Sequence, residues 1–501
     1  MPLFKPILRN SAVLLAGTFL SKALVFASYL VLTRQLGADD FGRFTFLFVY
    51  VGFFELIGDA GLEALVLREM ERRPERAARA FGDALVLRAL LVLAAIPAAV
   101  ALFPWVRADP RHQAALLALA CGTLIVTNRR PSLRSTFELP YRAALRMGIP
   151  VLLGTLSEVL ALVFILVLVP QWGLSGAVAS QILGPLPFAV ILALVASRIL
   201  RPEIAVDRAR IGTLALAASP FLATLMLNFV LVRADVFALE RFRGPAEVGL
   251  YAAPVRLVEL ANLLPVILMT SIYPLMARSH ATDPARLDVL ARASVRALAA
   301  ILVPLAVFEI AAAEPLIRLV FGDEFAGGAP VLRLLAAASI FTALDVVLGA
   351  RLVAAGLEHR NLHLVMMAAA TNVAAVLVLV PRHGPEGAAI ALLLAYSVRL
   401  VSGFAFANTR ALTRTAIGAA APAVVAGVVA LAVVRLAGGA IGVIGTSGGG
   451  AASSGFDGAI VGWLAIAAAA AAGYALVLVA LRGVRKDDWS SLTAAVSRFR
   501  R

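Results

Sequence analysis

The sequence predicts an all-α polytopic membrane protein with fourteen transmembrane helices. Three observations predict it. Hydrophobic residues make up 61% of the 501 and charged residues only 15%, whereas soluble chains are near half apolar and a quarter charged. Mean hydropathy is +0.93, and the apolar residues fall into runs long enough to cross a hydrocarbon core, about 20 residues each. Lys and Arg gather in alternate loops, the pattern that orients a multi-span chain.

The spans read as 11–33, 44–65, 82–104, 113–128, 147–169, 174–197, 212–238, 247–275, 294–314, 328–350, 361–381, 385–407, 413–434 and 458–481. The clearest pair lies between Glu158 and Arg198, with no charge between them and a Pro170-Gln-Trp-Gly173 turn as divider. The fourth span is short because Arg129 and Arg130 end it. The first is expected to be a retained span, being too long for a signal peptide and lacking a small-residue cleavage site. The Gly/Ser-rich stretch 436–457 reads as a flexible loop.

With the N-terminus in the cytoplasm, 29 basic residues fall in inside segments and 9 in outside loops, Arg296 and Arg414 at span ends being counted with their loops. This bias places both termini inside. A net charge of +15 then reads as loop charge facing anionic headgroups. Nucleic acid is excluded as a partner, because no basic stripe is interleaved with aromatics. The single cysteine, Cys121, lies in an apolar run and cannot form an intrachain disulfide. No metal-ligand cluster, phosphate-binding loop or nucleophile–base set can be assembled. Neither enzymatic activity nor a cofactor is expected.

The loop after the first span reads Gly37-Ala-Asp-Asp40-Phe-Gly42-Arg-Phe44, and that after the seventh Gly244-Pro-Ala-Glu247-Val-Gly249-Leu-Tyr251. Both are G-x-x-[DE]-x-G-x-[FY]. The acid and small residues suit the start of the following helix. Equivalent positions in the topology imply two parallel six-span lobes, 1–205 and 206–410, with 411–501 holding the last two spans and a basic cytoplasmic tail. Transporters are often built this way, with substrate between lobes and alternating access. Prolines inside spans favour kinks. Pro254 and Pro265 of the eighth are hinge candidates, against the plainer reading of ordinary membrane-helix prolines.

Seven basic residues lie at or near membrane depth: Lys22, Arg88, Arg233, Arg256, Arg333, Arg351 and Arg399. Charge there requires a partner or a wet cavity. Lys22 and Glu55 lie near the midplane, about a dozen residues from the outer ends of their spans at roughly 1.5 Å per residue. They form an ion pair, or Lys22 meets an anionic substrate. Glu55, Asp59 and Glu63 share one helix face, Glu63 at the interface. Arg233, Asp235, Arg256 and Glu259 lie about 10–15 Å below the outer surface. They make a polar site or a self-satisfied salt-bridge network. Arg88, Arg333, Arg351 and Arg399 are expected to snorkel to an interface.

Several segments resemble bacterial polysaccharide-biosynthesis flippases. They are Leu32-Thr-Arg-Gln-Leu-Gly37, Asp40-Phe-Gly42-Arg-Phe44, Asp59-Ala-Gly-Leu62, Arg233-Ala-Asp235 and Val248-Gly-Leu-Tyr251-Ala-Ala-Pro-Val-Arg256. Tyr273-Pro-Leu-Met276, Val320-Phe-Gly-Asp-Glu324 and Leu352-Val-Ala-Ala-Gly356 continue the series. The resemblance covers 1–410. It implies the superfamily of multidrug and toxin extruders, two six-helix bundles around a cavity, and a bacterial inner-membrane location. It also implies flipping of polyprenyl-pyrophosphate-linked oligosaccharide, with Lys22, Arg233 and Arg256 as cationic donors. Membrane lipids, and a glycan polymerase or glycosyltransferases, are the implied partners. A cation-coupled extruder would instead use Glu55 and Asp59, or Asp235 and Glu259, as coupling sites. A non-transport scaffold in a glycan-assembly complex is the third hypothesis.

Overall fold

A computed structural model describes residues 4–59, 61–106, 117, 120–127, 129, 132–144, 146–204, 207–447 and 471–480. The described residues are helical, without strands. In a bilayer a helix satisfies its own backbone, which no open sheet can do. The helices are α1 Phe4–Asp59, α2 Leu62–Arg72, α3 Ala77–Val106, α4 Thr123–Val126, α5 Leu133–Thr136, α6 Leu139–Ala143, α7 Gly148–Leu183 and α8 Leu186–Ile199. There follow α9 Arg208–Phe242, α10 Pro245–Ala261, α11 Leu263–Thr282, α12 Pro284–Ala311, α13 Ala313–Phe321, α14 Ala329–Ala354, α15 Glu358–Ser402 and α16 Ala407–Ser447. Ala471–Ala480 forms α17.

Nine stretches of the described residues are long and apolar enough to cross a membrane. Three of them are doubled. A straight helix of the 56 residues of α1 would run about 84 Å, against a hydrocarbon core of about 30 Å. It turns at Gly37, φ +70°. Likewise α7 turns at Gly173 (φ 52°, ψ −129°) and α15 at Gly384 (φ 52°, ψ −131°). These positive φ values need glycine. Counting each turned helix twice gives twelve crossings. The two other expected spans, 113–128 and 458–481, fall largely outside the described residues.

The last two turns belong to a second internal repeat. Pro170-Gln-Trp-Gly173-Leu-Ser-Gly176-Ala177 and Pro381-Arg-His-Gly384-Pro-Glu-Gly387-Ala388 share P-x-x-G-x-x-G-A. Their second glycines repeat as well. A Cβ on Gly176 would overlap the carbonyl of Leu168, and one on Gly387 that of Leu379, each eight residues earlier.

The structure departs from the sequence reading at several places. The second span stops at Asp59, and beyond Gly61 (φ +73°) α2 begins, so Glu63 stands on α2 and does not share a helix face with Glu55 and Asp59. The eighth span is broken at Asn262, between α10 and α11, and the sixth at Gly184-Pro185. The stretch 436–457 is helical as far as Ser447. Glycine costs about 1 kcal/mol in a helix, less than unsatisfied backbone does in an apolar medium. Residues 448–457 lie outside those described.

The chain divides into two compact units, Met1–Ala252 with Val320–Glu324, and Ala253–Leu319 with Phe325–Arg501. In the first, α1 packs on α7, α3 and α9. An aromatic seam joins α1, α3 and α9: Phe46 meets Phe237 at 5.9 Å, Tyr50 meets Phe103 at 5.3 Å and Phe53 meets Phe229 at 5.8 Å. The linker before α9 is fastened too. Glu203 N–H donates to Ala78 O at 3.0 Å, and Arg210 pairs with Asp83 at 2.8 Å. In the second unit, α12 packs on α14 and α16. Small buried residues Ala416, Ala419, Ala423 and Ala426 and Gly427, whose Cβ would overlap Val303, permit the close helix approach common in membranes. Tyr474 of α17 donates to the carbonyls of Ala299 and Ala300 at 3.3 Å.

Candidate functional site

A cavity of about 280 Å³ lies in the first unit. Its wall carries Thr18, Ser21 and Lys22 from α1, Glu158 from α7, and Arg129, Arg134, Glu138 and Arg142 from the segment 129–142. That makes four cationic and two acidic side chains, an excess of two positive charges.

Lys22 is exposed to the cavity. It makes no ion pair or hydrogen bond with any described residue, and so is not paired with Glu55. Glu55, 4% exposed, accepts a hydrogen bond from Thr123 Oγ1 at 3.2 Å. Asp59 ends α1, and its side chain lies outside the described residues.

The arginines are held by acids. Arg129 grips Glu158 through Nε, 3.1 Å from both oxygens, and Nη2, 2.6 Å from Oε2. Desolvation works against the Arg129 charge, but Glu158 and Tyr29 more than offset it and raise its pKa. Glu138 accepts from Arg134 at 2.9 Å and Arg142 at 3.3 Å, and Arg142 also pairs with Glu63 at 2.6 Å. Arg134 is the most constrained. Its side chain is 1% exposed, desolvation pulls its pKa down against Glu138 and Glu158, and its Nε and Nη2 lack hydrogen-bond partners. Buried donors of this kind carry a desolvation cost that an incoming acceptor relieves.

Short α5 positions Arg134. Ser132 and Ser135 close a capping box at its start. Beneath it Arg88 Nη1 donates to Ser132 O, Ser135 Oγ and Thr136 Oγ1 at 3.2, 2.7 and 2.8 Å. Arg88, 2% exposed, is thus a buried strut and does not snorkel. Arg399 is corrected likewise: 8% exposed, it pairs with Asp345 at 2.5 Å. Arg351 pairs with Asp288 at 2.8 Å, and Arg333 is exposed. A charge at depth finds a partner where a neighbouring helix offers one: α5 for Arg88, Asp345 for Arg399 and the half-exposed Asp288 for Arg351.

The other expected residues stand elsewhere. Asp235 is buried and takes hydrogen bonds from Tyr251 O–H and from Val236 N–H at 2.7 Å. Arg233, two residues earlier on the same helix, is half-buried. Arg256 pairs with Glu259 at 2.8 Å. Pro254 and Pro265 are both buried, flanking the break at Asn262. The sequence reading missed Arg129, Arg134 and Arg142, having counted them only as loop charge. Two signals stood in the sequence: Glu158, an acid inside an apolar span that needs a cation, and the i, i+4, i+8 series Arg134, Glu138, Arg142.

The family model described as polysaccharide biosynthesis protein matches residues 7–280, more than half of the chain. The chain belongs to this family. No curated protein matches the sequence. Among solved structures it is similar to the lipid II flippase MurJ in an inward closed conformation. Identity is 12%, coverage 93% of this chain and 99% of that one, and TM-score 0.70. It is also similar to an inward-facing multidrug resistance MATE family transporter of the MOP superfamily, with 15% identity, coverage of 80% and 95%, and TM-score 0.61. The Vibrio cholerae MATE transporter VcmN, in a mutant form, gives 16%, 82%, 100% and 0.57 on the same measures. These likenesses establish the polytopic fold that this family member shares with flippases and MATE transporters.

Proposed function

We propose that the chain is a flippase that moves a polyprenyl-pyrophosphate-linked oligosaccharide across a bacterial inner membrane by alternating access. Both termini are cytoplasmic, and 1–205 and 206–410 serve as the two lobes. The two internal repeats support that organisation. The observation that carries the substrate reading is Lys22, unpaired in a cavity whose wall holds three arginines. In a site of low dielectric, phosphoryl oxygens are the acceptors that guanidinium groups suit best. The cavity is near the lower end of ligand-pocket volumes, about 300 Å³, so it suits the charged headgroup while the polyprenyl chain stays in lipid. Membership in the polysaccharide biosynthesis family agrees with a lipid-linked glycan, and the similarity to MurJ with a lipid-linked cargo. Glycosyltransferases or a glycan polymerase would be its partners.

The test is glycan delivery in cells carrying Lys22→Ala. Delivery should stop while the protein remains in the membrane at normal amount. Unchanged delivery would remove the pyrophosphate site.

A cation-coupled extruder is the competing reading, favoured by one observation, the carboxylate of Glu55 buried beside Thr123 and the aromatic seam. It predicts that the protein makes a drug-sensitive host resistant and that Glu55→Gln abolishes the resistance.

A further inference from the structure

The two copies of the G-x-x-[DE]-x-G-x-[FY] motif touch each other. A Cβ on Gly42 would overlap Pro245 O and approach Gly249 N to 2.9 Å. A Cβ on Gly249 would in turn overlap Ala38 O and approach Ala38 Cα to 3.2 Å. The contact is reciprocal: each copy presents its second glycine to the backbone of the other. Neither glycine has a positive φ, so both are required by the closeness of the approach alone. A third segment locks the crossing. Ala38 N–H, at the start of the second half of α1, donates to Glu324 Oε1 at 2.7 Å. Around the crossing Arg43 pairs with Asp39 at 2.8 Å, and Arg243 with Glu247 at 2.8 Å. Just below it Tyr251 of the second copy is bonded to Asp235.

This junction stands well away from the cavity. From Lys22 to Gly37 is fifteen residues of helix, about 22 Å of rise. By the loop-charge frame it lies on the outer side, with the arginine segment 129–142 on the inner side.

We propose that the Gly42–Gly249 crossing, capped by Glu324, is the closed outer gate of the transport cycle. This rests on the transporter reading, though not on the substrate. An alternating-access protein must part and re-form one such contact in every cycle. A contact with no side chains between the backbones can close without repacking. It also leaves no room for a methyl group, so the smallest substitution obstructs closure and shifts the population toward the outward-open state.

The test is thiol accessibility. In a Cys121→Ala background, Thr18→Cys places one reporter in the cavity. It is labelled with a membrane-impermeant trimethylammonium methanethiosulfonate, from outside in whole cells and from inside in inverted vesicles. Gly42→Ala, Gly249→Ala and Glu324→Ala are each expected to speed outside labelling and slow inside labelling. Glu324→Ala should do so about tenfold, the shift expected for loss of one charge-assisted hydrogen bond. Gly82→Ala is the control. Its Cβ would stand 2.1 Å from Glu203 O, a backbone clash comparable to the 1.8 and 2.0 Å approaches at Gly42 and Gly249 but away from the crossing, and it should lower stability without changing either labelling rate. If either glycine variant fails to accumulate, Glu324→Ala decides, because its change leaves the backbone crossing unobstructed. Rates equal to the parent's in every variant that accumulates would overturn the gate. So would a parent labelled as fast from outside as from inside. Failure here with glycan delivery dependent on Lys22 would leave the proposed function standing, and the reverse result would leave the gate.

Discussion

Arg88 shows how a single buried cation sets the geometry of the site. Three of its hydrogen bonds hold α5, and α5 carries Arg134. Arg88→Met should cost about 3–5 kcal/mol, because the Ser132 carbonyl and two hydroxyls lose a buried charged donor. A matching fall in the thermal midpoint of the purified protein checks this. Glu158→Gln separates stability from binding. Removing one partner of a pair in which Glu158 is 3% exposed should destabilise by about 3–5 kcal/mol. It also leaves the cavity more cationic, so inorganic pyrophosphate should raise the variant's midpoint more than the parent's. A pyrophosphate effect smaller than the parent's would argue against an anion site. Lys22 was legible in the sequence because a lone lysine in an apolar run has few explanations. Arg129, Arg134 and Arg142 were not, because orienting a chain and binding an anion call for the same residues in the same loop. Only the placement of Arg129, Arg134 and Arg142 around one cavity with Lys22 and Glu158 distinguishes the two uses.

Among the helices, glycine decides where the chain turns. Gly173 and Gly384 adopt nearly the same positive-φ conformation at equivalent hairpins. Alanine at either should cost about 1–3 kcal/mol of backbone strain. Gly176→Ala should cost more than Gly212→Ala, because a Cβ overlaps the Leu168 carbonyl at the first and has open space at the second. Thermal midpoints of the variants check both expectations. The apolar runs made most spans readable, since hydropathy in a bilayer reports position directly. The breaks at Gly184 and Asn262 were harder to see. A proline marks a possible kink, and whether a helix stops there depends on what its neighbours offer the freed backbone groups. The residues of the P-x-x-G-x-x-G-A repeat look like ordinary turn punctuation in the sequence, and the coincident dihedral angles of Gly173 and Gly384 reveal them as a structural repeat.

At the scale of the whole molecule, large apolar side chains such as Leu93, Leu194 and Val428 are 61–67% exposed, as a lipid-facing surface requires. Polar chemistry is drawn inward to the cavity wall. The account joins a family of polysaccharide biosynthesis proteins to a cationic cavity and, through it, to a pyrophosphate headgroup. Reconstitution in liposomes tests that join most directly. Purified protein is added to vesicles holding a polyprenyl-pyrophosphate oligosaccharide, and the appearance of glycan on the opposite leaflet is timed with a glycan-cleaving enzyme outside. The account predicts transfer that requires the protein and is lost in Lys22→Ala. Transfer by Lys22→Ala at the parent's rate, or no transfer by a parent that extrudes cationic drugs from the same vesicles, would contradict it.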